Sequence, residues 1–161
     1  MPEGDVLTTE HLRRCVRLAA EALDAGDDPF GSVLVGPDGV VLAEERNREV
    51  TDSDPTAHPE LALARWAAAN LPAAVRPGCT VYTSGEHCPM CAAAHGWVGL
   101  GPIVYAGSGA QLAAWRAGWG QPASPVAVLP ITAVVPGLTV VGPVAPFDEQ
   151  MRALHEQAAK R

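Results

Sequence analysis

Basic charge is scarce in this chain: 11 Lys and Arg stand against 18 Asp and Glu, giving a formal net charge of −7. The basic residues cluster only briefly, as Arg13-Arg14 with Arg17 and as Lys160-Arg161. Affinity for a folded nucleic acid rests largely on clustered phosphate contacts, so duplex DNA and large RNA are disfavoured partners. Long hydrophobic runs are lacking as well; none approaches the roughly 20 apolar residues of a membrane helix. The opening Met1-Pro-Glu-Gly-Asp has neither the positive nor the apolar stretch of a secretory signal, and a cytoplasmic protein is expected. There is no repeat and no low-complexity tract. A second C-x-x-C is missing too, so nothing completes a four-thiolate zinc site.

What is present suffices for a core. The chain has 161 residues and is 48% hydrophobic, which predicts one domain over 1–161 that folds without disulfide staples. Of the four cysteines, Cys15 falls in a predicted helix and Cys79 at the start of a predicted strand, and both read as buried structural thiols. Leu12, Val16, Ala19, Ala20 and Leu23 recur at helical spacing over 8–25, with Gly26 as a stop. Gly31 to Gly36 and Val40 to Ala43 flank Pro37-Asp38-Gly39 as a hairpin. A helix is predicted over 61–71, strands at 79–83 and 103–106, and helices at 89–98 and 111–117. Residues 118–146 are rich in Pro and Gly, with room for one or two short strands, and an amphipathic helix closes the chain from Phe147 to Lys160. A hairpin followed by alternating helices and strands predicts a three-layer α/β/α sandwich around a mixed sheet, with functional residues at strand ends and helix starts.

The chemistry concentrates in Thr56-Ala57-His58-Pro59-Glu60 and in Gly85-Glu86-His87-Cys88-Pro89-Met90-Cys91. One His and two Cys are the ligand types zinc prefers, and three protein ligands leave a fourth position open for water. Cys88 and Cys91 are three apart at a helix start, so their sulfurs share a face, and the helix N-terminus favours thiolate. Pro59 biases His58 away from helical backbone and is itself at home in a first turn. His58 therefore precedes the helix and reaches the metal, while Glu60 reaches the water there. Glu60 adds nothing to coordination and reads as the proton shuttle. H-x-E followed by C-x-x-C is the pattern of zinc deaminases. A structural zinc site or a redox dithiol would leave His58 and Glu60 without a role.

Four stretches carry a resemblance: Pro29-Phe-Gly-Ser-Val-Leu-Val, Glu45-Arg-Asn-Arg, Asp52-Ser-Asp-Pro-Thr-Ala-His-Pro-Glu and Cys88-Pro-Met-Cys. In this order they resemble motifs of the cytidine deaminase-like superfamily. They are most similar to its branch of guanine deaminases and tRNA adenosine deaminases, with coverage from about residue 8 to about 120. The resemblance implies a five-stranded sheet, one Zn2+ per chain held by His58, Cys88 and Cys91, Glu60 as the catalytic group, and a homodimer. It aligns Asn47 with a substrate-binding asparagine, where the bottom-up alternative is a turn-forming Asn. It also brings forward Ala57, Phe30, Ser84 and Trp97 as substrate contacts, with core packing as the other reading of Phe30 and Trp97, and strand-ending that of Ser84. Trp66, Trp97, Trp115 and Trp119 would supply interface surface.

Three residues depart from the family pattern. Pro59 replaces an alanine. His87 replaces a proline and is expected to be exposed, with a contact to substrate or a hydrogen bond to a metal ligand as the other readings. His95 replaces an apolar residue and is a conceivable fourth ligand. His11 and His155 are expected to be solvated on terminal helices. Residues 121–161 resemble guanine deaminases poorly, which leaves the substrate more open than the reaction. The expected activity is hydrolytic deamination of a small nucleobase or related heterocycle, guanine first and cytosine or an aminotriazine next. The alternatives are tRNA adenosine or nucleoside deamination and, outside enzymes, a catalytically silent zinc module used in assembly.

Overall fold

The computed structural model describes residues 3–161. Helix α1 (Glu3–Asp24) starts earlier than its apolar pattern indicates. It buries Leu12, Cys15, Ala19 and Ala22 on one face, and Gly26 turns the chain out of the helix at φ +92°. Strands β1 (Gly31–Val35) and β2 (Val41–Arg46) form the expected hairpin. β2 extends into Glu44-Glu45-Arg46 because it is an edge strand, and an edge tolerates charge that a central strand would not.

Then follow α2 (Pro59–Asn70), a 3₁₀ turn at Arg76–Gly78, β3 (Thr80–Gly85), α3 (Pro89–Val98), β4 (Ile103–Gly107) and α4 (Gly109–Gly118). The Ser108 hydroxyl accepts from the Gln111 N–H while the Gln111 side chain accepts from the Ser108 N–H, a capping box that starts α4 two residues before its apolar pattern. The Pro- and Gly-rich stretch contributes one helical turn, α5 (Ile131–Val134), and one two-residue strand, β5 (Val140–Val141), before α6 (Phe147–Ala159).

The sheet order is β2-β1-β3-β4-β5. β1 is antiparallel to both neighbours, whereas β3, β4 and β5 run parallel. β4 is buried on both faces, as a central parallel strand requires. Its Ile103 and Tyr105 join Leu34, Val81, Leu63 of α2, Ala92 of α3 and Ile131 of α5 in one core. Val104 and Ala106 point the other way, onto Leu12 and Ala19 of α1 and Phe147 and Met151 of α6. The architecture is the three-layer sandwich with a mixed five-stranded sheet that the sequence implied. Cys15 and Cys79 are free and fully buried, as expected of structural thiols. Among the described residues no helix is long and apolar enough to cross a membrane.

Candidate active site

Two helix starts converge beyond the carboxyl end of β3. His58 occupies the N-cap of α2 with extended backbone (φ −88°, ψ 142°), the conformation that a following proline enforces. Pro59 takes the first helical position, where a missing N–H costs nothing. Cys88 repeats the device at α3 (φ −68°, ψ 166°) with Pro89 behind it, and Cys91 falls in the first turn. His58 Nδ1 lies 3.6 Å from the sulfur of Cys88 and 3.6 Å from that of Cys91. The three donor atoms lie within 4.8 Å of one another, and no other such group occurs among the described residues. A tetrahedral zinc with ordinary Zn–N and Zn–S bonds sets each N···S edge at about 3.6 Å. The donor set fits zinc in kind and in spacing, with one coordination direction left over.

Without metal, these groups share protons. The Cys91 thiol and the facing imidazole hold the Cys88 thiol down to about 4 against its burial. The bonds to Cys88 and Glu49 push His58 up to about 10. The bond to Cys88 and burial push Cys91 far up. A metal ion takes the place of those protons, which is the usual exchange at thiolate sites.

Glu60 is buried to 6% exposure in the first turn of α2. Its Oε1 accepts from the hydroxyls of Ser32 on β1 (3.2 Å) and Thr83 on β3 (3.1 Å). Burial pushes the carboxyl up, opposed by His58 and by those two hydroxyls. Neither Ser32 nor Thr83 was singled out from the sequence. Their signal was there, as polar residues inside strands that otherwise read as buried.

Asn47 is buried, and its Oδ1 accepts the Glu49 N–H at 2.9 Å. It thus closes a turn, and its Nδ2 makes no hydrogen bond to the described residues. Ala57 is half-buried, with its carbonyl accepting from the Arg48 N–H at 3.1 Å. The Ser84 hydroxyl accepts from the Gly31 N–H at 3.0 Å and so ties β1 to β3. Phe30 and Ser84 line a cavity beyond the carboxyl ends of β3 and β4, together with Leu112, Trp115, Met151 and His155. It measures about 20 Å³, close to the room one water needs.

Trp97 is 90% exposed, outside this cavity and outside the core, so the core-packing reading fails. It is the penultimate residue of α3. Trp66 packs against the core and Trp115 lines the cavity, and both are half-buried.

Two histidines expected at the surface are inside. His87 is 2% exposed, with both ring nitrogens unpartnered, 5.4 Å from His95. His155 is 4% exposed, with its ring against Phe30 (5.1 Å) and Trp115 (6.3 Å) and its Nδ1 unpartnered. His155 shares the buried face of α6 with Phe147 and Met151, contrary to the solvated position expected of it. His11 is half-buried against Tyr82. His95 is not a ligand here, since its Nε2 bonds the Gly101 carbonyl at 2.8 Å.

A sandwich of this topology, with a His and a Glu at one helix start and two Cys at the next, defines the class of zinc-binding deaminase domains. The family model for the cytidine and deoxycytidylate deaminase zinc-binding region matches residues 7–107, and the chain belongs to that family. It is 44% identical over 96 residues to guanine deaminase of Bacillus subtilis, covering 59% of this chain and 61% of that protein. It is 40% identical over 88 residues to a tRNA-specific adenosine deaminase of Agrobacterium fabrum, covering 53% of this chain and 57% of that one. The chain thus spans about three fifths of the length of these relatives. The fold is shared with guanine deaminase from Nitrosomonas europaea, at a TM-score of 0.73 and 20% identity over 94% of this chain and 84% of that chain.

Proposed function

We propose that this protein is a zinc-dependent hydrolytic deaminase of a small free nucleobase, guanine first and cytosine or an aminotriazine next. The observation that carries the reaction is Glu60, a buried carboxylate held by Ser32 and Thr83 beside the three donor atoms. A zinc module used only for assembly would have no need of it. When bound, zinc supplies a water whose pKa is lowered toward about 7. With zinc held by His58, Cys88 and Cys91, Glu60 would move both protons of that water in turn, the first to the ring nitrogen as the oxygen bonds to the ring carbon and the second to the amine as it leaves. The C–N bond breaks as the carbonyl forms, so water and the amidine group become carbonyl and ammonia. Asn47 Nδ2 donates to the acceptor edge of the base, and its Asx turn holds the amide in place.

The choice of a free base rests on the walls. No Lys or Arg lines the cavity. Glu86, the charged residue on the rim, spends its oxygens on the Gly109 and Ile131 N–H groups. Aromatic and aliphatic walls suit a neutral planar heterocycle. We further propose a homodimer, with Trp97 as its aromatic anchor, in a cytoplasm reducing enough to keep Cys88 and Cys91 as thiols.

Ammonia release decides the substrate. Specificity constants should be highest for a free base among guanine, cytosine, an aminotriazine, the matching nucleosides and an anticodon stem-loop. Preference for the stem-loop would place the protein with the tRNA editors, and preference for a nucleoside would mean a more open pocket.

A further inference from the structure

The loop between β2 and α2 is held from an unexpected place. Asp27 follows α1, is fully buried, and accepts four hydrogen bonds, all from residues 46–51. Its Oδ1 takes the N–H groups of Val50 and Thr51, both at 2.8 Å. Its Oδ2 takes the Thr51 hydroxyl and Arg46 Nη1, the latter at 2.7 Å. A carboxylate has about four lone-pair sites, so this one is saturated. That satisfaction is what a fully buried charge requires. Burial works against the Asp27 carboxylate, yet the bonds from Thr51, Arg46 and Val50 prevail and bring its carboxyl down to about 2.

The loop so pinned delivers one side chain to the metal-ligand cluster. The Glu49 N–H donates to Asn47 Oδ1 at 2.9 Å, and the Glu49 carbonyl accepts from the Asp54 N–H at 2.9 Å. With its backbone fixed on both sides, Glu49 presents Oε1 to His58 Nε2 at 2.5 Å. His58 therefore donates from Nε2 and keeps Nδ1 for the two cysteines. An imidazole has one nitrogen to give a metal, and a carboxylate on the other fixes both tautomer and ring orientation while strengthening the donor. The N-cap position of His58 leaves its ring otherwise unguided, since no cap hydrogen bond restrains it.

We propose that Glu49 and Asp27 are positioning residues of the zinc site: Glu49 locks the His58 ring with Nδ1 toward Cys88 and Cys91, and Asp27 locks the loop that carries Glu49. The inference rests on His58 being a zinc ligand. It predicts a chain of dependence, in which Asp27 affects metal binding only through Glu49.

Zinc affinity measured by chelator competition tests this, alongside thermal melting of the zinc-free variants. Glu49→Ala should weaken zinc 10–100-fold with little change in the zinc-free melting temperature. Glu49→Gln retains an acceptor oxygen for Nε2 and should recover part of the loss. Asp27→Asn should weaken zinc in the parent background and have no further effect on top of Glu49→Ala. Thr51→Val, which removes one of the four bonds to Asp27, is the milder substitute should Asp27→Asn fail to fold, and should show the same dependence. Unchanged zinc affinity in Glu49→Ala overturns the role of Glu49. Equal losses from the loop variants in both backgrounds overturn the role of Asp27. A parent protein that binds no zinc at all would instead refute the metal site itself.

Discussion

Thr83 places its hydroxyl 3.1 Å from the Glu60 carboxylate, on the strand that ends two residues later at the turn into Cys88 and Cys91. The Ser32 hydroxyl on β1 lies 3.2 Å from the same oxygen and 2.8 Å from the Thr83 hydroxyl. The two antiparallel strands pair Ser32 directly with Thr83, so sheet register sets the position of the carboxylate. Glu60 is thereby oriented through one carboxylate oxygen.

Glu60→Gln should keep the fold and bind zinc like the parent, because an amide oxygen can still accept from Ser32 and Thr83. Turnover should fall by about 10²–10⁴-fold, the range that a positioned acid–base group contributes. Ammonia release within a few-fold of the parent would assign the proton transfer to another group.

His155 should make the protein sensitive to acid. Burial, and then the nearby Arg116 charge, bring its pKa down to about 3. Its reference value is about 6.5, so between about 6.5 and 3 the unfolded chain carries a proton that the folded chain refuses. Stability is then lost as pH falls through that window, by up to roughly 1.4 kcal/mol per pH unit. His155→Phe preserves a ring against Phe30 and Trp115 and should flatten this slope. Melting temperatures of the zinc-free protein from pH 7 to pH 4 check it, and an unaltered slope in the variant refutes it. The Asp27 contribution lies lower, since its folded carboxyl is depressed to about 2 and its stabilisation is lost only below about pH 4.

Trp97 should be the anchor of a subunit contact. An indole 90% exposed at the end of a helix leaves a large apolar surface in water, and buried Trp side chains are among the strongest interface anchors, often worth 2 kcal/mol or more. Trp97→Asp should lower the dimer affinity at least about 30-fold without lowering the melting temperature of the isolated chain. Light scattering across a concentration series is the measurement, and a parent that stays monomeric at micromolar concentration contradicts the dimer.

The sequence by itself determined the metal-binding elements, because their determinants are local. A proline after His58 and another after Cys88 dictate extended backbone followed by a helix start, and three-residue spacing puts Cys91 beside Cys88. Apolar runs with turn signals likewise fixed the order of strands and helices, and hence the layered fold. Tertiary structure alone decided which side chains surround that cluster. Ser32 and Thr83 meet Glu60 through strand register, and Asp27 meets the loop of Glu49 across 19 to 24 residues of chain. The fates of Trp97 and His155 went against residue type for the same reason. Whether a helical face is covered depends on what packs there: α6 lies over β4 and encloses a histidine, while among the described residues nothing covers Trp97, and the tryptophan is left in water.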